Sequence, residues 1–238
     1  MIRARTGLVI AMVTIAAITC VRLGTWQLSR LAEKKRMNAE LRASLARAPI
    51  ALGDTIAADT LNGRVVSIRG HYDPRMQVVL GGWMHEGEPG VEVFTPLMLH
   101  GGIAVLVDRG WLSAEMPAEA HPERWVEPGE REVRGRVEVL PRGHRGGTLR
   151  AVTSDSATVL LGLRLDPDTL TARLPYPVAG FTIRELPGPG VGATPLRTPP
   201  EPFNESMHLG YAIQWFAMAA IIAGGSIAVA LRKRPKGS

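Results

Sequence analysis

The stretch that decides the fold lies near the C-terminus, at 208–231, and reads HLGYAIQWFAMAAIIAGGSIAVAL. The 23 residues from Leu209 to Leu231 include no charged side chain, and the basic sequence RKRPKGS completes the chain. A helix of that length spans roughly 34 Å at about 1.5 Å per residue, which is enough to cross a bilayer with some tilt. We therefore predict a transmembrane helix at 208–231 and a basic tail at 232–238.

A second, weaker apolar stretch runs from Gly7 to Leu28 and is interrupted by Arg22. It is also long enough to span a bilayer, because Arg22 can extend its charged end to the interface. A cleaved signal peptide is the alternative, but no A-x-A pattern follows the apolar core, and Trp26 suits the aromatic belt of a retained helix. The sequence predicts a tail at 1–6 and a first transmembrane helix at 7–28.

Two spans place both chain ends on one side of the membrane, and the two tails carry six basic residues and no acidic one. Cytoplasmic segments are enriched in Lys and Arg, so we expect both termini in the cytoplasm and 29–207 on the extracytoplasmic side of the cell (inner) membrane. The basic segment RLAEKKR at 30–36 opposes this orientation, but a long domain translocates largely regardless of its charge.

The net charge of +6 does not predict a nucleic-acid partner. Six of the 28 basic residues lie in the tails, which leaves 22 basic against 22 acidic residues in the rest of the chain. The clearest basic cluster, from Arg30 to Arg47, borders the membrane, where lipid head groups are the simpler partner. A single cysteine, Cys20, excludes an intramolecular disulfide and any C-x-x-C metal, redox or haem-attachment site.

Between the spans, the pattern changes from helical to β. Leu31–Ala48 holds no Gly or Pro and predicts a helix that ends before Pro49. Short β-branched runs then predict an antiparallel sheet or partial barrel. These runs are RVVSIRG (64–70), MQVVLG (76–81), VEVFTPLML (91–99), IAVLVDRGW (103–111) and REVRGRVEV (131–139). We expect an α+β membrane protein in which two terminal transmembrane helices flank one extracytoplasmic, mainly antiparallel-β domain.

Later segments give weaker signals. Asp166 followed by Pro167 predicts the start of a short helix, and PVAGFTIREL at 177–186 predicts a further strand. The proline- and glycine-rich stretch at 187–202 predicts an extended linker back to the membrane. Arg109-Gly110-Trp111 ends a predicted strand, where we expect a structural role, with Gly at a turn and Trp over the core.

Catalytic and metal motifs are absent from the sequence. None of the six histidines forms H-x-H, H-x-x-H or H-E-x-x-H, and no G-x-S-x-G elbow, P-loop or framed dinucleotide fingerprint occurs. An extracytoplasmic hydrolase would need His71 or His100 beside Asp108, and the sequence gives no sign of that geometry. We predict that the protein is not an enzyme.

One helix face at the membrane edge carries ligand-binding side chains. His208, Tyr211 and Trp215 share a face of the second span near the outer leaflet boundary, which suits a flat apolar ligand with one axial coordination site. The alternative is that the two rings are interface aromatics and His208 is an interfacial polar residue. Three residues that follow the first span at the same depth are either interface anchors or part of one site with His208: Trp26, Gln27 and Arg30.

Four blocks of sequence stand out together: LGTWQLSRLAEK (23–34), GVEVFTPLML (90–99), VLVDRGWL (105–112) and NESMHLGYAIQWFAMA (204–219). In this order, between two terminal spans, they resemble the surfeit-locus-one family of cytochrome oxidase assembly factors. LGxWQLxR and HLGYAxQWF at the two ends form the specific part of the resemblance. Residues 112–128 and 140–205 are not diagnostic of the family, and RLAEKK lacks the Trp common before the family's first lysine, so the resemblance leaves the interior of the soluble domain and any partner surface on it unassigned.

The resemblance implies a non-enzymatic factor that binds haem a and assists its insertion into the catalytic subunit I of cytochrome c oxidase. The position of the family's haem-binding histidine is His208, and an imidazole is a suitable axial ligand for haem iron. Tyr211 and Trp215 would pack on the macrocycle. Arg30 is our own assignment for a propionate partner, without a family motif behind it. The alternative function is a scaffold that stabilises an oxidase subunit, or bridges it to haem A synthase, without holding haem.

Overall fold

The structure, a computed structural model, describes residues 2–53, 60–140, 148–153 and 157–232. It divides into a helical unit (1–42 and 201–238) and a β-rich unit (43–200). The helices and strands, in chain order, are α1 (Ile2–Ala46), β1 (Ile50–Ala51), β2 (Val65–Tyr72), β3 (Met76–His85), β4 (Glu88–Met98), β5 (Ala104–Ser113), β6 (Glu130–Val139), β7 (Arg150–Thr153), β8 (Thr158–Gly162), α2 (Pro167–Arg173), β9 (Val178–Glu185) and α3 (Ser206–Arg232).

The helices α1 and α3 correspond to the two predicted spans. α1 joins the predicted span and the predicted helix after it into one helix of 45 residues. No Gly or Pro lies between Gly24 and Pro49, so nothing in the sequence ends the helix between the two predicted segments. Within the described residues, Gly7–Ala46 and Ser206–Val229 are each long and apolar enough to cross a membrane, which is consistent with a membrane protein.

The predicted domain bounds differ from the division of the chain into units. Residues 29–42 belong to the helical unit, although the sequence assigns them to the domain at 29–207. The predicted tail at 1–6 is helical from Ile2 onwards, and the predicted basic tail beyond Arg232 lies outside the described residues. The side of the membrane on which each part lies stays a prediction.

The β-rich unit contains a closed five-stranded barrel with the strand order β2-β6-β9-β5-β4. β2 closes the barrel by pairing with β4 through His71↔Met98 and Tyr72↔Leu97. Beyond β4 the sheet continues as β3, β8 and β7. Six pairings between the described strands are antiparallel and three are parallel, so the prediction of a mainly antiparallel β domain is confirmed, and the partial barrel is in fact closed.

The barrel interior is filled by one side of each alternating strand. On β5, Val105 and Val107 belong to the interior cluster, while Leu106 packs in a second cluster on the outer face. α2 covers that outer face with the buried Leu170. As predicted, Asp166 caps α2, because its carboxylate accepts a hydrogen bond from the Thr169 backbone N–H at 2.9 Å.

The proline-rich segment is not the simple linker that the sequence predicts. Up to Pro200 it belongs to the β-rich unit, and Leu196 pairs with Trp111 through backbone hydrogen bonds of 2.7 and 3.0 Å. Gly110 has a φ of +99°, and a Cβ at this position would overlap the Leu196 carbonyl oxygen. Gly110 is therefore required by the close approach of the segment, and Arg197, one residue further on, is buried.

Candidate functional site

The helical unit is built around a seam between α1 and α3. Small residues line this seam. The Phe216 ring on α3 packs directly on Gly24 of α1, and a Cβ at position 24 would lie 2.8 Å from ring atoms, so a larger residue does not fit there. Cys20 on α1 and Ala212 and Ala219 on α3 are also buried. Small side chains let two helices approach closely in a membrane, where van der Waals packing drives their association.

A second contact fixes the register between the two helices. Asn38 is 2% exposed, and its amide donates to the Phe203 carbonyl at 2.9 Å and to Glu205 Oε1 at 2.8 Å. Its Oδ1 accepts from the Phe203 N–H at 2.8 Å. Asn204 then caps α3 by accepting from the Ser206 N–H at 3.0 Å. These contacts place His208 in the first turn of α3, held at a defined height beside α1.

At that height, the structure brings together two of the predicted site residues. His208 Nδ1 lies 2.8 Å from Gln27 Oε1, across the seam. An amide oxygen only accepts hydrogen bonds, so Nδ1 carries the proton in this contact. In the neutral ring the lone pair is then on Nε2, the nitrogen that remains available as a ligand. The ring is partly exposed, so this nitrogen is not sealed inside the protein.

Three other predicted residues, Tyr211, Trp215 and Arg30, lie on the same two helices as this pair. At about 100° per residue, His208, Tyr211 and Trp215 fall within an arc of about 60° on α3. Tyr211 is 47% exposed and Trp215 is partly buried, so ring surface is available beside His208. Arg30 lies one turn from Gln27, and its guanidinium donates to Glu33 at 2.6 Å.

Trp26 is a predicted site residue that lies away from the seam. It lies two residues from Gly24, and therefore about 200° around α1 from the seam. Its side chain is 53% exposed. This orientation favours the interface-anchor role for Trp26 over a part in one site with His208.

The residues named for a hydrolase do not assemble. Asp108 is buried, and its carboxylate lies 3.3 Å from Arg184 Nε. His100 Nε2 lies 3.4 Å from Glu130, and His71 pairs with Met98 in the sheet. In the part of the chain that the structure describes, no group of three or more His, Cys, Asp or Glu side chains is placed to hold a metal ion.

Sequence reasoning missed a buried ionic network in the β-rich unit. The Arg109 guanidinium donates a hydrogen bond of 2.8 Å to Glu127. The Arg197 guanidinium donates to two carboxylates, to Glu127 at 2.5 Å and to Glu185 at 2.9 Å. Burial raises the pKa of Glu127, but hydrogen bonds and charge from the two arginines outweigh it, so the pKa lies below its ordinary value. The network ties the proline-rich segment to the barrel, which gives Arg109 a structural role.

The sequence matches one protein family over most of its length. A sequence model of the SURF1 family matches residues 14–220. The chain belongs to the SURF1 family. The match includes α1 from residue 14, the whole β-rich unit and the first part of α3, so the SURF1 region contains both His208 and Gln27.

Individual SURF1 relatives are similar over different lengths. An uncharacterised SURF1-like protein of Mycobacterium tuberculosis is 32% identical over 105 residues, which cover 42% of this chain and 39% of the relative. The yeast cytochrome oxidase assembly protein Shy1 is 34% identical over 100 residues, covering 40% of this chain and 26% of Shy1. A SURF1-like protein of Monosiga brevicollis is 29% identical over 229 residues, covering 90% and 84%. The aligned region is thus less than half the length of the mycobacterial and yeast relatives.

Proposed function

We propose that this SURF1 family member is an assembly factor for cytochrome c oxidase that binds haem a at His208 and assists its insertion into subunit I. Family membership and the name of the yeast relative support the role in oxidase assembly. The observation that carries the haem proposal is the 2.8 Å contact between His208 Nδ1 and Gln27 Oε1. Haem A synthase, which makes the cargo, is the second proposed partner.

The side chains of this site fit haem as a cargo. A haem supplies four nitrogens to its own iron, so the protein adds an axial ligand and needs no cluster of metal-binding side chains. A histidine whose other nitrogen donates to an oxygen is the usual form of such a ligand, because that hydrogen bond orients the ring and raises its basicity. Tyr211 and Trp215 present ring surface on the same side of α3.

Arg30 remains the proposed partner for a haem propionate. Its guanidinium is occupied by Glu33 at 2.6 Å, but both side chains are more than 40% exposed. An exposed ion pair of this kind contributes about 0–1 kcal/mol, so a propionate can replace the glutamate at little cost. The Arg30–Glu33 pair is therefore compatible with the assignment.

The test compares haem content in purified protein from cells that make haem a. We expect the wild-type chain to carry haem with a Soret band, and His208→Ala to lose most of it. The matched control is His100→Ala, since His100 is exposed and lies in the β-rich unit. Equal haem content in His208→Ala and wild type would refute the ligand assignment. A haem-free protein that still purifies with the oxidase, and that functions without His208, would support the scaffold function instead.

We also propose that the protein is a multi-pass protein of the cell membrane, with both termini cytoplasmic and the β-rich unit outside. The native Cys20 is buried, so a new surface cysteine can be labelled against a low background. Ser113 is exposed at the end of β5, and we expect Ser113→Cys to react with a membrane-impermeant maleimide in intact cells. Labelling that requires cell lysis would contradict this orientation.

A further inference from the structure

A cleft of about 400 Å³ opens on the outer face of the barrel, in the β-rich unit. Its walls are mainly apolar and include Leu80, Phe94, Leu140 and Leu165. Trp83 and Leu163 also line it, and they are 40% and 70% exposed, so they lie at its rim. Clefts with apolar walls and a few converging polar groups are the usual form of binding sites.

The floor of the cleft carries a row of charged side chains from neighbouring strands. Arg184 on β9 is central: its guanidinium lies 3.4 Å from Glu92, 3.3 Å from Asp108 and 3.3 Å from Glu138. Arg136 reaches Glu138 at 3.6 Å, whereas the ion pairs recorded for Glu92 and Asp108 are with Arg184. The Arg184 guanidinium is therefore shared by Glu92 and Asp108, the two most buried carboxyl groups of this row.

Glu92 is the buried carboxyl group of the row that lines the cleft. It is 9% exposed in its side chain and lines the cleft, and Arg184, at 3.4 Å, is its hydrogen-bond donor among the described residues. Burial, and then the charge of Asp108, raise the pKa of Glu92 to about 8, because Arg184 does not offset them. When all of them are ionised, three carboxylates (Glu92, Glu138 and Asp166) and two guanidinium groups (Arg164 and Arg184) line the cleft, so the lining carries one net negative charge.

We propose that this cleft receives an arginine side chain from a partner polypeptide. A guanidinium presents a planar set of donors that suits the carboxylates of Glu92 and Glu138 together. The exposed Trp83 ring at the rim offers a face on which a guanidinium can stack. Trp83 and Leu163 present exposed apolar surface at the rim, which suits a polypeptide rather than an enclosed small molecule. The inference is independent of haem binding at His208.

The test uses the full chain in detergent and two synthetic probes: acetyl-leucyl-arginyl-leucine amide and the same peptide with neutral citrulline in place of arginine. Affinities are measured by calorimetry at pH 7 and pH 9. We expect the arginine peptide to bind about threefold or more tightly than the citrulline peptide at pH 9. The preference should shrink at pH 7, where Glu92 is protonated, whereas Asp108, with a pKa raised to about 6 chiefly by burial, is largely ionised at both values.

Variants identify the group responsible for the preference. The other charged groups facing Glu92 or lining the cleft are Asp108, Glu138, Asp166, Arg164 and Arg184. Glu92→Gln keeps the shape of the side chain and should abolish the change in preference between pH 7 and pH 9. Glu132→Gln is the matched control, because Glu132 is an exposed glutamate of β6 that pairs with Arg69 outside the cleft. Leu163→Ala should weaken both peptides equally.

Several outcomes would overturn the proposal. These are equal affinity of the arginine and citrulline peptides at pH 9, absence of binding by either peptide, or a pH dependence that persists in Glu92→Gln. The peptide comparison in the wild-type chain needs no substitution, so it decides the matter even if a variant fails to fold.

Discussion

Replacing Arg197 by Met should destabilise the β-rich unit by about 3 kcal/mol, because it leaves a buried carboxylate without its ion-pair partner. The Arg197 side chain is 1% exposed, and Glu185, which it contacts at 2.9 Å, is 2% exposed. Without Arg197, Glu185 keeps one recorded hydrogen bond, from the Tyr72 hydroxyl at 3.4 Å. Breaking a buried ion pair costs about 3–5 kcal/mol.

The lower end of that range applies because the other carboxylate stays paired. Glu127 retains Arg109 at 2.8 Å and Arg131 at 3.2 Å, so the substitution orphans one charge rather than two. The loss should also depend on pH. Burial already raises the pKa of Glu185, and losing Arg197 raises it further. A carboxyl group with a raised folded-state pKa is tolerated when protonated, so Arg197→Met should be less destabilising at pH 5 than at pH 8.

Hydrogen exchange of β5 and β9 amides, followed by mass spectrometry on the full chain, reports the stability of the β-rich unit separately from the helices. The control is Arg69→Met, because the Arg69–Glu132 pair is exposed and should contribute about 0–1 kcal/mol. In the double variant with Glu185→Gln, part of the lost protection should return. If the amides of Arg197→Met exchange no faster than those of Arg69→Met, the buried network does not stabilise the β-rich unit.

Further predictions concern Gly110, Gln27 and Glu92. Gly102→Ala should lower the free energy of unfolding by roughly 1 kcal/mol through backbone strain, and Gly110→Ala should lower it further, because both glycines have positive φ but Gly110 also approaches the Leu196 carbonyl. Urea unfolding measures both variants, and equal losses of stability would show that the carbonyl contact is unimportant. Gln27→Leu should lower haem occupancy although His208 is kept, and Gln27→Asn, with a shorter amide side chain, should give an intermediate occupancy. Soret absorbance per protein measures both variants, and wild-type occupancy in Gln27→Leu would contradict the proposal that Gln27 orients His208. Burial raises the pKa of Glu92 from its ordinary value of 4.5 to about 8, so the wild-type chain loses stability as the pH rises from about 4.5 to about 8. Glu92→Gln should therefore be more stable relative to wild type at pH 9 than at pH 6, and unfolding midpoints that differ equally at the two pH values would exclude this.

The elements that could be predicted from sequence are those with strong local patterns. β2 to β6 follow β-branched runs, and α2 follows the cap at Asp166. The closing pair of β2 and β4 depends on two residue pairs at the strand ends, which leave no mark on local pattern. β8 pairs in parallel with β3 across about 80 residues of chain, and short-range periodicity cannot report such a partner.

The candidate site was predictable in part for the same reason. The apolar run identified α3 and placed His208 at its start, but the pairing with Gln27 depends on helix register, which Asn38 and Phe203 set. The buried network was not predictable. Its members lie far apart in the sequence, and each is a residue type that usually lies on the surface.

Key polar side chains have several hydrogen-bond partners in the β-rich unit, whereas His208 in the helical unit has one, and this difference fits the proposed role of a haem carrier. In the β-rich unit, Arg109 and Arg197 are buried and each has several partners, so their geometry is over-determined. In the helical unit, His208 has one partner, is partly exposed, and keeps Nε2 free. A ligand held from one side by a single imidazole is bound less completely than at an oxidase site with fuller ligation and burial. Under the proposed function, this difference in ligation would drive transfer in one direction, because haem would move to the site that binds it more tightly.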